Sequence, residues 1–476
     1  VCFTPHWPVS QQALKQIDHA GRTILERVGV RICDRRFLEM LQGAGARVHY
    51  EDQRAFFEQD RLDYLLEQAP SRFTLYSRDG RNDLPLGEGR VYFANGGRVF
   101  RILDMDKGCF RPSLLADVAR TARLVNELDR IHFYIIACQA EDVQFQHYHL
   151  NDFYHAFKHT TKHVMGGCDH LEGVKQMWRL ASFIAGGEEA LRERPFVSVI
   201  TNPISPLTMA ADALNTLHFC CSQGIPTTCA PAPIAGATSP ATLAGTLSQM
   251  HAEALAGVAL SQVFAPGSKV LYGAVPAVMD LRSADIAMGS VEMGLMNACA
   301  VQLAKLYGLP IYASAGVTES KGPDIQAGIE KSFSNLTVAM AGADCIHLAA
   351  GMIDSANSIS YEQYVIDNEI IGMTCRILEG IRVNERTLGL DVIEKIGPGG
   401  NYIMEDHTVE HMTEEFFYPS LGVRLNLDLW DEKNRPDMVG RARALVKEIL
   451  ERSGEDLLDK DLIHEVKKAF PGIENP

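Results

Sequence analysis

Residues 196–230 read FVSVITNPISPLTMAADALNTLHFCCSQGIPTTCA. Phe196–Thr201 is short, apolar and β-rich; Ala210–Cys221 has apolar residues at helical spacing; Thr227–Ala230 is short and β-rich again. A strand, a helix and a second strand joined by short turns form a unit whose strands run parallel. The same alternation extends in both directions. Strand-like runs occur at Val91–Asn95, Ile131–Ala137, His163–Gly166, Lys269–Gly273, Ile311–Ala313 and Cys345–Ala349. The helical patterns between and after them are Leu114–Leu128, Leu150–Lys158, Leu171–Ala185, Ala241–Phe264, Ala284–Leu306, Gln326–Ala341 and Ser360–Ile381. Eight strand-then-helix units predict an α/β fold, the (β/α)8 TIM barrel, because eight parallel strands close into a ring. An open doubly wound sheet would carry a Gly-rich dinucleotide turn after an early strand, and no GxGxxG occurs.

The flanks break this rhythm. Residues 1–88 are expected to form an N-terminal extension with helices at Gln11–Val28, Arg36–Gly43 and Arg61–Ala69 and a β segment at Phe73–Ser77. The barrel occupies 89–387. Residues 388–476 are expected to form a C-terminal helical cap, with helices at Arg441–Glu451 and Asp461–Phe470 beyond the turn cluster Gly397-Pro398-Gly399-Gly400.

Composition narrows the function. Of the 476 residues, 46% are hydrophobic and 22% charged, an ordinary globular balance. A net charge of -15 repels phosphate backbones and anionic lipid, so neither nucleic acid nor a membrane surface is an expected partner. No run of apolar residues is long enough to span a bilayer. The start Val1–His6 lacks a signal-peptide pattern. Eleven cysteines, an odd number with no CxxC, read as reduced thiols in a cytoplasmic protein.

In such a barrel chemistry sits at the carboxyl ends of the strands. The residues there are small, apolar or neutral polar, and no set of carboxylates with a lysine converges as general acid–base work would need. Small residues at loops four to seven predict a wide mouth, suited to a large cofactor or a descending protein. His347, inside the apolar run Ile346–Ala350, reads either as a hydrogen-bonded core histidine or as a mouth-facing catalytic residue. His155 and His159, with His163 following, have spacing that can hold zinc, but their helix lies outside the ring with no evident third ligand; Cys168, Asp169 and His170 at the third strand's end are better placed, but their spacing matches no zinc motif.

The segments Tyr92–Gly97, Thr201–Leu207, Ala313–Lys321, Ser358–Gln363, Gly397–Tyr402 and Asp406–Met412 together resemble the trimethylamine methyltransferase family over nearly the whole chain. The resemblance implies methyl transfer from a small methylated amine to the cobalt of a cobalamin carried by a cognate corrinoid protein. No DxHxxG cobalamin signature is present in this chain. Archetypal members carry pyrrolysine. This chain contains only standard residues, which places it beside the branch associated with quaternary amines, glycine betaine above all; the loop after the seventh strand is where the corresponding position is placed. A quaternary ammonium needs aromatic faces, expected from Tyr92, Phe93, Tyr134, Tyr272 and Tyr312. A carboxylate needs donors, expected from Asn95, Asn202, Ser205, Arg282, Lys321 or backbone N–H groups at Gly236–Thr238. A homo-oligomer is expected. The competing readings are a zinc-dependent barrel methyltransferase or hydrolase, and a non-catalytic betaine-binding subunit.

Overall fold

The computed structural model describes residues 8–452 and 456–476. Val1–His6, read above for a signal peptide, lies outside the described residues. The eight barrel strands are β1 (Tyr92–Asn95), β2 (Tyr134–Ile135), β3 (Val164–Gly167), β4 (Val197–Thr201), β5 (Thr227–Cys229), β6 (Val270–Gly273), β7 (Ile311–Ser314) and β8 (Cys345–Ala350). Each precedes a helix: α1 (Leu115–Glu127), α2 (Tyr148–His159), α3 (Leu171–Ala185), α4 (Ala211–Gln223), α5 (Leu243–Phe264), α6 (Val291–Leu306), α7 (Ile325–Met340) and α8 (Tyr361–Glu379). The strands hydrogen-bond in parallel in the order β1-β8-β7-β6-β5-β4-β3-β2. This is the barrel expected from the sequence.

The ring closes between β1 and β2, where the ladder is thinnest. Two isolated parallel bridges join the segments, Ala94 with Phe133 and, just past the strands, Val99 with Cys138, with backbone bonds from His132 N to Phe93 O, Arg98 N to Ile136 O and Val99 N to Ala137 O. The Asn95 side chain supplies the rest: its amide donates to Ile135 O at 2.7 Å and to Gly96 O at 2.7 Å, while Ile135 N donates to its carbonyl at 2.8 Å. A buried side-chain amide thus stands in for a missing stretch of backbone pairing.

Inside the ring, Tyr92, Ala94, Phe133, Ile135, Met165, Leu271 and Tyr312 pack with Phe73, Leu75, Leu84 and Leu86. The last four belong to an antiparallel hairpin, Phe73–Leu75 with Leu84–Leu86. It plugs the amino end of the barrel and leaves the carboxyl end open. The sequence reading expected the first of these two strands and missed its partner.

The flanks brace the ring. The helix Gln11–Arg27 packs on α5 and α6, and Met438–Glu451 packs on α1 and α8. A strand at Val30–Ile32 pairs with Thr208–Met209 in the loop after β4, so the N-terminal segment holds a mouth loop. One helix differs from expectation. The segment from Ala284 forms the strand Asp285–Ala287 of a hairpin, and α6 starts only at Val291, capped by the Ser290 hydroxyl. Ala284 has φ +61°, which interrupts the helical path.

Replacing Asn95 with Leu removes the seam bonds while keeping the volume. A loss of about 1–3 kcal/mol is expected, since Ile135 N and O become buried without partners. Urea denaturation checks this; an unchanged midpoint would show that the seam carries no load.

Candidate functional site

A cavity of about 280 Å³ opens at the carboxyl end of the barrel. Its lining includes residues in or just beyond every strand: Gly97 and Arg98 after β1, Ile135 and Ile136 at β2, Gly167 at β3, Ile200 and Asn202 at β4. Ala230 and Ala232 follow β5, Val275 follows β6, Tyr312 lies on β7, and His347 and Leu348 lie on β8. The volume suits a ligand smaller than a drug-sized molecule.

His347 faces the cavity by strand alternation, two residues after the interior Cys345, and β8 turns irregular beyond it. Its pairing with β1 runs Cys345 to Tyr92 and Ile346 to Phe93, then jumps to Ala350 with Asn95. Leu348, within the jump, has φ +63°. A bulge of this kind re-aims side chains beside a site. The His347 ring stacks on Tyr312, centroids 4.1 Å apart and planes 15° from parallel. Ser314 Oγ donates to Ala274 O at 2.9 Å, so the His347 Nε2–H donates to that hydroxyl, at 2.5 Å. Burial pushes the imidazole down to about 3 from its ordinary 6.5, so it is neutral at physiological pH. Tyr312 and His347 therefore give the cavity an uncharged π-rich wall.

Opposite in chemistry is Arg98, which the sequence reading missed. Its guanidinium forms a bidentate pair with Asp169 at 2.5 and 3.0 Å and donates to Gln139 Oε1 at 3.1 Å. Asp169 also accepts from the Tyr148 hydroxyl, and its backbone N–H donates to His149 Nε2 at 3.1 Å. Burial and the nearby Arg98 charge hold His149 down at about 3, neutral as its acceptor role requires. Asp152, buried behind them, is pushed up to about 8 by burial. The signal available in the sequence was position: Arg98 lies three residues beyond the end of the first strand, where barrel chemistry sits.

The structure brings His347, Tyr312 and Asn202 to the cavity. Asn202 is exposed at the mouth, and its side chain makes no hydrogen bond among the described residues. The other candidates lie elsewhere. Tyr92 stands at the amino end of β1, in the floor cluster against His132. Phe93 alternates outward and stacks on His132. Asn95 is spent on the seam. Tyr272 points outward, its hydroxyl 2.8 Å from His251 Nδ1, and Tyr134 also faces the helices, 3.0 Å from Thr121 Oγ1. Ser205 donates to the buried Glu253 at 2.7 Å. Lys321 pairs with Asp354 at 2.7 Å, tying the loops after β7 and β8. Arg282 is exposed on the hairpin after β6 and pairs with Asp280. The N–H groups of Ala237 and Thr238 bond back to Ile234 O.

The histidines considered for zinc are also committed. His163 contacts Tyr76 O and Ser198 Oγ, and His155 Nε2 contacts Glu474 O. Among the described residues no three His, Cys, Asp or Glu side chains converge on a metal position, the ten cysteines are free thiols, and no helix is long and apolar enough to cross a membrane.

A buried ion pair holds the wall bearing His347 and Tyr312. Lys331 on α7 donates to Asp367 on α8 at 2.9 Å and to Gly316 O at 2.5 Å, while Gly351 N donates to the same carboxylate at 2.7 Å. Both side chains are wholly buried. Gly316 has φ +77°, and a Cβ there would sit 2.6 Å from Ala349 Cα. The loops after β7 and β8 are thus clamped to each other and to their helices.

A family model described as trimethylamine methyltransferase (MTTB) matches residues 2–470. The chain is 30% identical to a glycine betaine methyltransferase of Desulfitobacterium hafniense, over 95% of this chain and 94% of that one. It is 34% identical to a trimethylamine methyltransferase MttB from another strain of that organism, over 85% and 81%. The crystal structure of the Methanosarcina barkeri monomethylamine methyltransferase (MtmB) matches with a TM-score of 0.54 at 12% identity, over 94% and 90% of the two chains. That last likeness concerns the fold.

Two outcomes are expected. Lys331→Met leaves Asp367 buried without its counter-ion and lowers stability by about 3–5 kcal/mol; Lys331→Met with Asp367→Leu recovers part of the loss. Urea melts of both variants check this. The His347 imidazole should not titrate between pH 5 and 8 when followed by NMR. Because its folded pKa lies below the unfolded value, its contribution to stability is complete above about pH 6.5 and drains away as the pH falls toward 3. A midpoint near 6.5 would mean an open, solvated ring.

Proposed function

The chain belongs to the trimethylamine methyltransferase family, and on that footing we propose that it removes a methyl group from a quaternary amine, glycine betaine foremost. The observation that carries this reading is the cavity itself: a π-rich wall of Tyr312 and neutral His347, and no acidic side chain in the lining.

The chemistry asks little of proton transfer. When the C–N bond breaks, its electron pair returns to nitrogen, so a quaternary ammonium leaves as a neutral tertiary amine. Cobalt(I) of a corrinoid carried by a partner protein supplies the nucleophile that accepts the methyl group. A cavity of about 280 Å³ has room for a small amine and none for a corrin ring, so the corrin has to be presented across the mouth. Phe145, Ile204 and Leu281 stand exposed on the segments after β2, β4 and β6, and Ile325 at the start of α7, an apolar rim that suits a descending protein.

Within this reading the chain's own side chains bind and orient. Tyr312 and His347 offer their ring faces to the ammonium. Ile135, Ile136, Ile200 and Val275 exclude water around the methyl groups. His347 acts through its π face and its bond to Ser314 rather than as a base, since burial gives the neutral ring a poor affinity for a second proton and its Nε2–H is held by Ser314. Residues 89–387 carry the chemistry, and 1–88 and 388–476 brace it. The protein is placed in the cytoplasm on its reduced thiols.

Purified protein should deplete cob(I)alamin absorbance in the presence of glycine betaine and release dimethylglycine. Tyr312→Leu should lower kcat/KM by about tenfold or more, the loss of one desolvated cation–π contact. Absence of transfer from glycine betaine, proline betaine, carnitine and choline alike would end the proposal.

A further inference from the structure

We propose that Arg98 is the specificity determinant of this site, anchoring a substrate carboxylate so that the cavity selects zwitterionic betaines over net-cationic amines; this rests on the methyl-transfer reading above. Among the described residues, Arg98 is the one formally charged side chain in the cavity lining, because His347 is neutral. The counter-ion of Arg98, Asp169, lies outside the lining, so the guanidinium is the ionic group that faces the cavity. A ligand carrying only a positive charge, such as choline, brings no anion to accept from the N–H donors that Asp169 and Gln139 leave free. A betaine brings its own anion and gains a charge-assisted hydrogen bond.

The guanidinium is built for this task. Arg98 is a non-glycine residue at φ +59°, a conformation that costs energy and recurs at functional sites. Its side chain is 23% exposed, held by Asp169 and Gln139 and lying over the Tyr148 ring at 5.4 Å. Of its five N–H donors, the bonds to Asp169 and Gln139 use three. Two remain for a ligand. Asp169 is a positioning residue, itself fixed by Tyr148 and His149.

The ring order sets the direction. Asp169 follows β3, so it draws the Arg98 guanidinium to that side, and Asn202 follows β4 beside it. Tyr312 lies on β7 and His347 on β8. In the ring β3 stands opposite β7, and β4 opposite β8. Donors for a carboxylate and π faces for an ammonium thus occupy opposite walls of one small cavity. A betaine has its two charges at opposite ends, and this arrangement aligns it across the mouth.

Calorimetric titration of the full chain with glycine betaine and with choline tests the assignment without any corrinoid. Wild type is expected to bind glycine betaine at least tenfold more tightly than choline. Arg98→Met should weaken glycine betaine at least thirtyfold and leave choline unchanged or tighter. Arg98→Lys, which keeps the charge, should fall between and provides the comparison if the methionine variant does not fold. Equal wild-type affinity for the two ligands overturns the proposal. So does an Arg98→Met or Arg98→Lys protein that, once folded, discriminates as wild type does. If wild type methylates cob(I)alamin from choline as readily as from glycine betaine, the Arg98 assignment fails and the methyl-transfer reading stands. If no quaternary amine binds or reacts, both fall.

Discussion

A ring of parallel strands has to satisfy the backbone of its first and last members, and here that closure decides where the site can be. The β1–β2 seam rests on two isolated bridges, a few backbone bonds and the Asn95 amide. On the other side of β1, β8 breaks register after Ile346, and His347, in phase with the interior Cys345, lines the cavity. The hairpin Phe73–Leu75 with Leu84–Leu86 fills the amino end. With the floor plugged and the wall sealed, the carboxyl end is where a ligand enters. The chain invests its buried polar groups, Asn95 and the Lys331–Asp367 pair, in fixing the two strands that flank that opening.

Much of the fold was legible because parallel barrel strands are buried on both faces and appear as short apolar runs. β4 and α3 fall within one residue of the expected bounds. The hairpin strand Leu84–Leu86 escaped notice because Pro85 sits at its centre, a residue that argues against a strand. The strand Asp285–Ala287 was hidden by an apolar pattern continuous with α6.

The site was harder to see, for a reason of phase. Strand side chains alternate between the ring interior and the helices, and a sequence does not state which phase applies. Tyr272 and Phe93 face the helices, while Tyr312 faces the cavity. Tyr92 has the right phase and the wrong height, at the floor. Asn202 and His347 lie at the mouth, the second because it shares the inward phase of Cys345 on β8. Arg98 looked like an ordinary loop arginine; its partner Asp169 lies 71 residues away in the chain, a pairing that the ring alone creates.

The picture that emerges is a site that works by placement and exclusion. Arg98 and Asn202 on one side and Tyr312 and His347 on the other line a cavity of about 280 Å³, and no acidic side chain lies in that lining. A crystal structure of the protein soaked with glycine betaine tests this most directly. The expected result is one bound molecule in the barrel mouth, its trimethylammonium against Tyr312 and His347 and its carboxylate at Arg98. Ligand density outside the barrel mouth, or a molecule lying in the mouth with its ammonium turned away from that pair, would contradict the account.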